Sequence, residues 1–532
     1  IGRWLVCADA HGVADRVATR LTAAGHHVVR ATADQVAVED PSAVAAWLAG
    51  CGPITGVLHA WAIDVPDTSI LTDDTLAAAQ PQGVGALLHI TRALAASHST
   101  ARVWVLTTNA QPAGVLPAPV SVAQSTVWGF GRALAVEHPE LWGGALDLPA
   151  VPDDASLDGA AGALLSPDGE DQMAWREGQR YVPRLMPSVM PGVSTGIVFD
   201  PSAAYLITGG IGGLGRHVAR WMLDEGVTDL VLTGLRARGD DALPADLVRP
   251  GTRVDVIAAD ASDRGAMAAL LAGIAARGKT LKGVVHLAGL PEERPIVESD
   301  WAHGRRVMSP KVAGGWVVHD LTRTMPLDFF VTFSSISAVW GSRGQPFYGA
   351  ANHFLDALTA YRRASGLPAV TVSWGPWADG GMVSADGLTL LEKMGLHAMP
   401  PAHAMERLTR LMAAQASPRV GVDVHWPVFK ELFEARGARP ILERVGAGTS
   451  GAAVVDTPLA RELRALDPAA RRARIGAVVY QHVADVLGWS AGRTPDTRRG
   501  FFDLGMDSLM ALDLKNRLQD GFGLTLRASI VE

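Results

Sequence analysis

Four side chains of this 532-residue chain have the types and the order needed to reduce a ketone. Adding hydride to a carbonyl creates an alkoxide, so an acid must supply a proton while a hydroxyl polarises the C=O. Tyr348 suits the first task and Ser335, which ends the apolar run "FFVTFSS", suits the second. Lys311, in "SPKVAGG", is the cation that would lower the phenol's pKa, and Asn352 follows Tyr348 by one helical turn.

A hydride donor needs a cradle. In "YLITGGIGGLGRHVARWM" (205–222) an apolar run ends at Thr208 and a helical pattern follows. Gly209, Gly210, Ile211, Gly212, Gly213, Leu214 and Gly215 therefore form a strand-to-helix turn whose backbone can approach a pyrophosphate at a helix N-terminus. The competing reading is a plain tight turn in a chain with 57 glycines. The next strand, "LVLTGLRARG", lacks an acid for a ribose 2′-hydroxyl and offers Arg236 and Arg238, which favours NADPH unless these arginines are only solvated surface. Asp260, with Ala261 after it, is expected near the adenine, and the backbone of Ala288 and Gly289 near the nicotinamide ribose.

These residues need strands and helices to hold them. Short β-like runs alternate with helical patterns through the first four-fifths of the chain, as βαβ units around parallel sheets do. The pattern repeats: "ITGVLHAW" is echoed by "LKGVVHLAG", and "ARVWVLTTN" by "LDFFVTFSS". The first copy lacks the glycine cradle and has no tyrosine before Tyr181, so a structural role is expected for it. "MPSVMPGVSTG" (186–196) reads as the joint between the copies, and "VGAGTSGAAVVDTP" (445–458) as a flexible linker. Beyond it, Ile475, Val478, Val479, Val483 and Val486 share one helical face, as do Ala511, Leu514 and Leu518, which predicts a small helical domain.

Bulk properties narrow the partners. A net charge of −7 and a pI near 6.2 supply no basic field for nucleic acid. Cys7 and Cys51 form no disulfide framework and no metal-ligand spacing, so neither disulfide nor metal is expected. No apolar run is long enough to span a bilayer and no signal segment opens the chain, so the expected location is the cytoplasm. The chain begins at Ile1 and stops mid-pattern, which suggests a segment of a longer polypeptide.

"TGGIGGLG", "FSSISAVWG" and "YGAANHFLDAL" resemble the short-chain dehydrogenase/reductase superfamily, and specifically the ketoreductase domain of modular type I polyketide synthases. Most of the superfamily carries Tyr-x-x-x-Lys. This chain has Tyr348-x-x-x-Asn352 with its lysine at 311, which is the ketoreductase pattern. The resemblance implies two tandem Rossmann-like α/β subdomains, the first degenerate (1–190) and the second catalytic and NADPH-binding (196–444). Tyr348 would be the proton donor, Ser335 the carbonyl partner, Lys311 the residue lowering the tyrosine pKa, and Asn352 a support for the relay. Trp340, before the tyrosine, and Pro291-Glu292-Glu293 in place of Leu-Asp-Asp imply an L-hydroxyl product. Gln345, where a histidine marks reduction of an epimerised substituent, implies the A1 subtype. Pro376 would lie near the nicotinamide, within a segment (373–395) similar to the family's lid. Thr233-Gly234-Leu235-Arg236 departs from the usual phosphate clamp and leaves open which arginine grips the 2′-phosphate.

"FFDLGMDSLMALDLKNRL" resembles the acyl carrier signature, with Ser508 as the 4′-phosphopantetheine attachment point. A linker (445–465) would precede this all-α carrier domain (466–532), which the resemblance implies is cut short at its C-terminus. The implied partners are a carrier-bound β-ketoacyl thioester, a phosphopantetheinyl transferase, and ketosynthase and acyltransferase domains on the same polypeptide, homodimeric in the full synthase. The alternative is a redox-inactive or epimerising ketoreductase-like scaffold that docks a carrier.

Overall fold

The computed structural model describes every residue except 115–118, 191, 193–196, 236–242, 447–456, 490–499, 501–503, 507 and 523–532, and the side chains of 508, 509, 512 and 516. The chain divides into two compact units, one of Ile1–Pro183, Ser188–Ser384 and Ala398–Asp423, the other of Arg184–Pro187, Ala385–His397 and Val424–Glu532.

The first unit holds two seven-stranded sheets. One contains β1 (Arg3–Ala8), β2 (His27–Thr32), β3 (Gly56–His59), β4 (Arg102–Thr108), β5 (Trp142–Leu148), β6 (Gln172–Arg176) and β7 (Gln179–Tyr181) in the order β2-β1-β3-β4-β5-β6-β7. The other contains β8 (Ala204–Thr208), β9 (Asp229–Gly234), β10 (Arg253–Ala258), β11 (Leu281–His286), β12 (Phe329–Ser335) and β13 (Val370–Trp374) in the order β10-β9-β8-β11-β12-β13, with the short strand Arg419–Gly421 at its edge. Apart from the antiparallel β6–β7 pair the strands run parallel. β8 is buried at every position, because a parallel strand covered by helices on both faces reads as an unbroken apolar run. Strand order reverses between β8 and β11, and a crevice opens at the carboxyl ends of strands at such a point.

One core joins the two halves of this unit. Phe130 and Leu134 pack in the same apolar cluster as Trp316, Phe347, Phe354 and Leu355, and the Phe130 and Phe347 rings lie 5.7 Å apart. Two helices meet here, Thr126–Glu137 from the first half and Pro346–Ala364 from the second, the latter carrying the tyrosine. Their backbones touch: a Cβ on Gly129 would lie 2.3 Å from the Gly349 carbonyl oxygen. Glycine inside a helix costs about 1 kcal/mol relative to alanine, and here it permits that approach.

The second unit contains the helices Ala385–Lys393, Trp426–Phe433, Pro458–Ala465, Pro468–Val486 and Ser508–Phe522. Val483, Met506, Ala511, Leu514 and Leu518 form an apolar cluster within it. The expected face of the 468–486 helix is only partly realised, since Val483 is buried while Ile475 is exposed. Among the described residues no helix is long and apolar enough to cross a membrane, and no group of three or more His, Cys, Asp or Glu could hold a metal ion. Cys7 and Cys51 are buried free thiols.

Candidate active site

The loop after β8 is shaped by its glycines. Gly209 has φ +72, and a Cβ there would lie 2.8 Å from the Ala288 amide nitrogen; a Cβ on Gly215 would lie 2.4 Å from the Gly209 carbonyl. The helix Gly213–Asp224 is thereby drawn tightly onto the turn. Gly212 occupies its N-cap and among the described residues no side chain caps it, so the first-turn N–H groups lack a side-chain acceptor, while the Gly380 backbone packs against Gly213. Ile211 and Leu214 complete the turn, with Ile211 partly exposed beside Gly234. Gly210 donates its N–H to the Thr233 carbonyl. Thr208 is buried, its Oγ1 2.7 Å from Nδ1 of His286 at the end of β11. Burial and the nearby Lys311 charge push the His286 pKa down to about 3, so the ring is neutral.

The cradle adjoins the catalytic candidates through Ala288 and Gly289. A Cβ on Gly289 would lie 2.9 Å from Lys311 Cε, so glycine gives the lysine its path. Lys311 projects from the helix Trp301–Thr322, is buried, and donates from Nζ to the Phe333 carbonyl at 2.8 Å. Its Nζ stands 5.8 Å from the centre of the Tyr348 ring. Burial pulls the lysine pKa down to about 8, opposed by Asp356.

Tyr348 is half-buried in the first turn of its helix. Burial raises its pKa, and the Asn352 and Ser335 side chains oppose that rise. Ser335 Oγ accepts the Ser337 N–H at 3.2 Å, which leaves its own proton free to donate. Asn352 is buried and donates from Nδ2 to the Tyr348 carbonyl at 2.8 Å, while its Oδ1 has no hydrogen-bond partner. Tyr348, Ser335, Lys311 and Asn352 thus meet at the carboxyl ends of β11 and β12, beside the loop after β8.

Trp340 is buried at the end of the short helix Ser337–Trp340, and Gln345 takes the N-cap position of the tyrosine helix without a side-chain capping bond. Pro376 accepts the Met399 N–H at its carbonyl. The Asp260 carboxylate is engaged locally, accepting from the Ser262 N–H and hydroxyl, and Ala261 is buried. Arg236 and Arg238 lie outside the described residues.

Three charged groups of this region have roles that sequence reasoning missed. Glu292 is buried and accepts the Tyr348 N–H at 2.7 Å, with its other oxygen 3.2 Å from His303 Nε2; burial pushes its pKa up to about 8. It caps the tyrosine helix from a distant loop, whereas the sequence marked it only as part of a fingerprint. Arg132 and Glu137 reach the region from the first half. An acid at a helix C-terminus opposes the helix dipole, and Glu137 carried that signal.

A nicotinamide dinucleotide fits these residues. The uncapped helix start suits a pyrophosphate, and the orphaned Asn352 Oδ1 marks a polar site awaiting a partner.

Comparison with known proteins gives the family. Residues 203–379 match the KR domain family, 12–185 the Rossmann fold domain of the polyketide synthase extender module SpnB, and 477–532 the phosphopantetheine attachment site. The chain is 38% identical over 451 residues to the pikromycin polyketide synthase component PikAIII of Streptomyces venezuelae, covering 81% of this chain and 29% of that protein. The solved structure of an A1-type ketoreductase is 33% identical with a TM-score of 0.73, covering 84% of this chain and 93% of that one. A structure of A-type ketoreductases from a modular polyketide synthase is 33% identical with a TM-score of 0.74, covering 84% and 94%. The chain belongs to the ketoreductases of modular polyketide synthases, and it carries a phosphopantetheine-attachment region after the reductase. It spans less than a third of the length of the curated relatives it matches first.

Proposed function

We propose that this segment reduces a carrier-tethered β-ketoacyl thioester to the β-hydroxyacyl thioester, with NADPH as the hydride source and the L-hydroxyl as product in the A1 manner. The observation that carries the reading is the meeting of Tyr348, Ser335 and Lys311 next to Gly289 and the glycine loop. When bound, the dinucleotide supplies hydride to the β-carbon. Ser335 and Tyr348 hydrogen-bond the carbonyl oxygen, and the phenol gives its proton to the developing alkoxide. Lys311 is an ammonium at neutral pH, since its pKa is about 8, and its charge stabilises the phenolate left behind. Asn352 fixes the Tyr348 turn and offers Oδ1 to the water that returns the proton.

Residues holding the dinucleotide would be Thr208 through Gly215, Asp260 and Ala261, Ala288 and Gly289, Pro376, and Arg236 or Arg238 at the 2′-phosphate. Trp340 and Gln345 would set the face and subtype. The proposed domains are 1–190 and 196–444 for the reductase halves, 445–465 for a linker and 466–532 for a carrier. The helix Ser508–Phe522 begins at the serine proposed to bear the 4′-phosphopantetheine arm, where a phosphate benefits from the helix dipole. Treatment with a phosphopantetheinyl transferase should add the mass of the arm to the wild type and not to Ser508→Ala.

The testing experiment supplies NADPH and a β-ketoacyl thioester and analyses the product on a chiral column. NADPH consumption with an L-hydroxyl product supports the reading. No consumption sinks the reductase assignment, and a D-hydroxyl sinks the stereochemical one.

A further inference from the structure

We infer that Glu137, in the first α/β half, is a positioning residue that sets the geometry of the Trp340–Tyr348 segment and so governs turnover and stereochemical fidelity. The inference rests on the reductase reading given above and adds to it a residue outside the catalytic half.

Glu137 ends the helix Thr126–Glu137 and is buried. Burial at a helix C-terminus disfavours its charge, so donors must compensate it. They do: Oε1 accepts the Gly344 N–H at 2.8 Å and Oε2 accepts the Ile296 N–H at 2.7 Å. Gly344 lies between Trp340 and Tyr348, and Ile296 lies shortly after Glu292 and Glu293. One carboxylate therefore ties together the two chain segments that flank the proposed substrate. Arg132, on the same helix, donates to the Ala338 carbonyl, so the stretch from 338 to 344 is held at both ends from the other half of the unit. Between these ties Gly341, at φ +86, presses on the Arg132 backbone; a Cβ there would lie 2.2 Å from its carbonyl oxygen. Only a carboxylate offers an acceptor to both N–H groups, since an amide of the same shape would turn its NH₂ against one of them.

Glu137→Gln tests this, with Glu137→Asp, one methylene shorter, as the milder companion if the amide variant does not fold. Three quantities are measured on the full segment: kcat and enantiomeric ratio with a β-ketoacyl thioester, the Kd for NADPH, and amide hydrogen exchange at Gly344 and Ile296. The expected result is a fall of about tenfold in kcat, as misplacement of a reacting group produces. The enantiomeric ratio should drop alongside, exchange at both amides should quicken, and the NADPH Kd should stay within about twofold. Unchanged exchange and unchanged enantiomeric ratio in a folded variant overturn the inference. A wild type that does not turn over overturns the reductase reading instead, and the exchange measurement still decides whether Glu137 holds the segment.

Discussion

The two halves of the first unit begin alike, with a parallel strand, a loop and a helix, yet they satisfy the helix N-terminus in opposite ways. In the first half Asp9 is fully buried and its carboxylate accepts the Val13 N–H at 3.0 Å and the Ala14 N–H at 2.7 Å. The anion that the helix start attracts is built into the chain, and a second anion would meet repulsion there. In the second half the residue after the strand is Gly209, and the helix start has no side-chain cap. A single residue after each first strand thus separates a closed helix start from one that can receive a phosphate. The side chains proposed as catalytic follow the same division, because Lys311, Ser335 and Tyr348 all belong to the half with the uncapped helix start.

The largest effect is expected from giving the second half the first half's residue. Gly209→Asp places a carboxylate at the open helix start and a Cβ against Ala288, so NADPH binding and turnover should both be abolished in a titration and a steady-state assay. Wild-type binding in that variant would break the contrast.

An intermediate effect concerns pH. With a pKa of about 8, Lys311 carries its charge below that value and loses it above, so the reduction rate should fall as pH rises through 8. Stability moves the other way: the folded lysine binds its proton more weakly than an ordinary lysine with a pKa of 10.5, so this group's contribution to stability grows between about pH 8 and 10.5. Lys311→Met should lower the neutral-pH rate by about a hundredfold and flatten the alkaline limb.

The smallest effect belongs to the closed end. Asp9→Ala removes a cap and leaves two N–H groups short of an acceptor, at a cost of about 2 kcal/mol in urea unfolding. NADPH affinity and kcat per folded molecule should not change.

The glycine turn and the serine that closes a strand were legible in the sequence because their signals are local: glycines between an apolar run and a helical pattern, and an apolar run ending in a hydroxyl. The duplication was legible for the same reason, since parallel strands leave apolar runs that can be matched by eye. Asp9 was legible only as a missing glycine; its bonds to Val13 and Ala14 showed what replaced the ligand. Glu137, Arg132 and Glu292 escaped because their partners are distant in sequence, and a charge at a helix end or in a loop reads as solvated surface until the fold brings a donor to it. Asp260, expected near the adenine, is held in place by the Ser262 N–H and hydroxyl, a local turn that its sequence neighbourhood did not announce.

The most direct test is single-turnover reduction of a β-ketoacyl thioester by wild type and Tyr348→Phe, with NADPH binding measured on both. The account predicts equal NADPH affinity and a rate lower in the variant by about a hundredfold to ten-thousandfold, the loss of one positioned proton donor. Equal rates would contradict it, because the phenol would then have no part in the reduction.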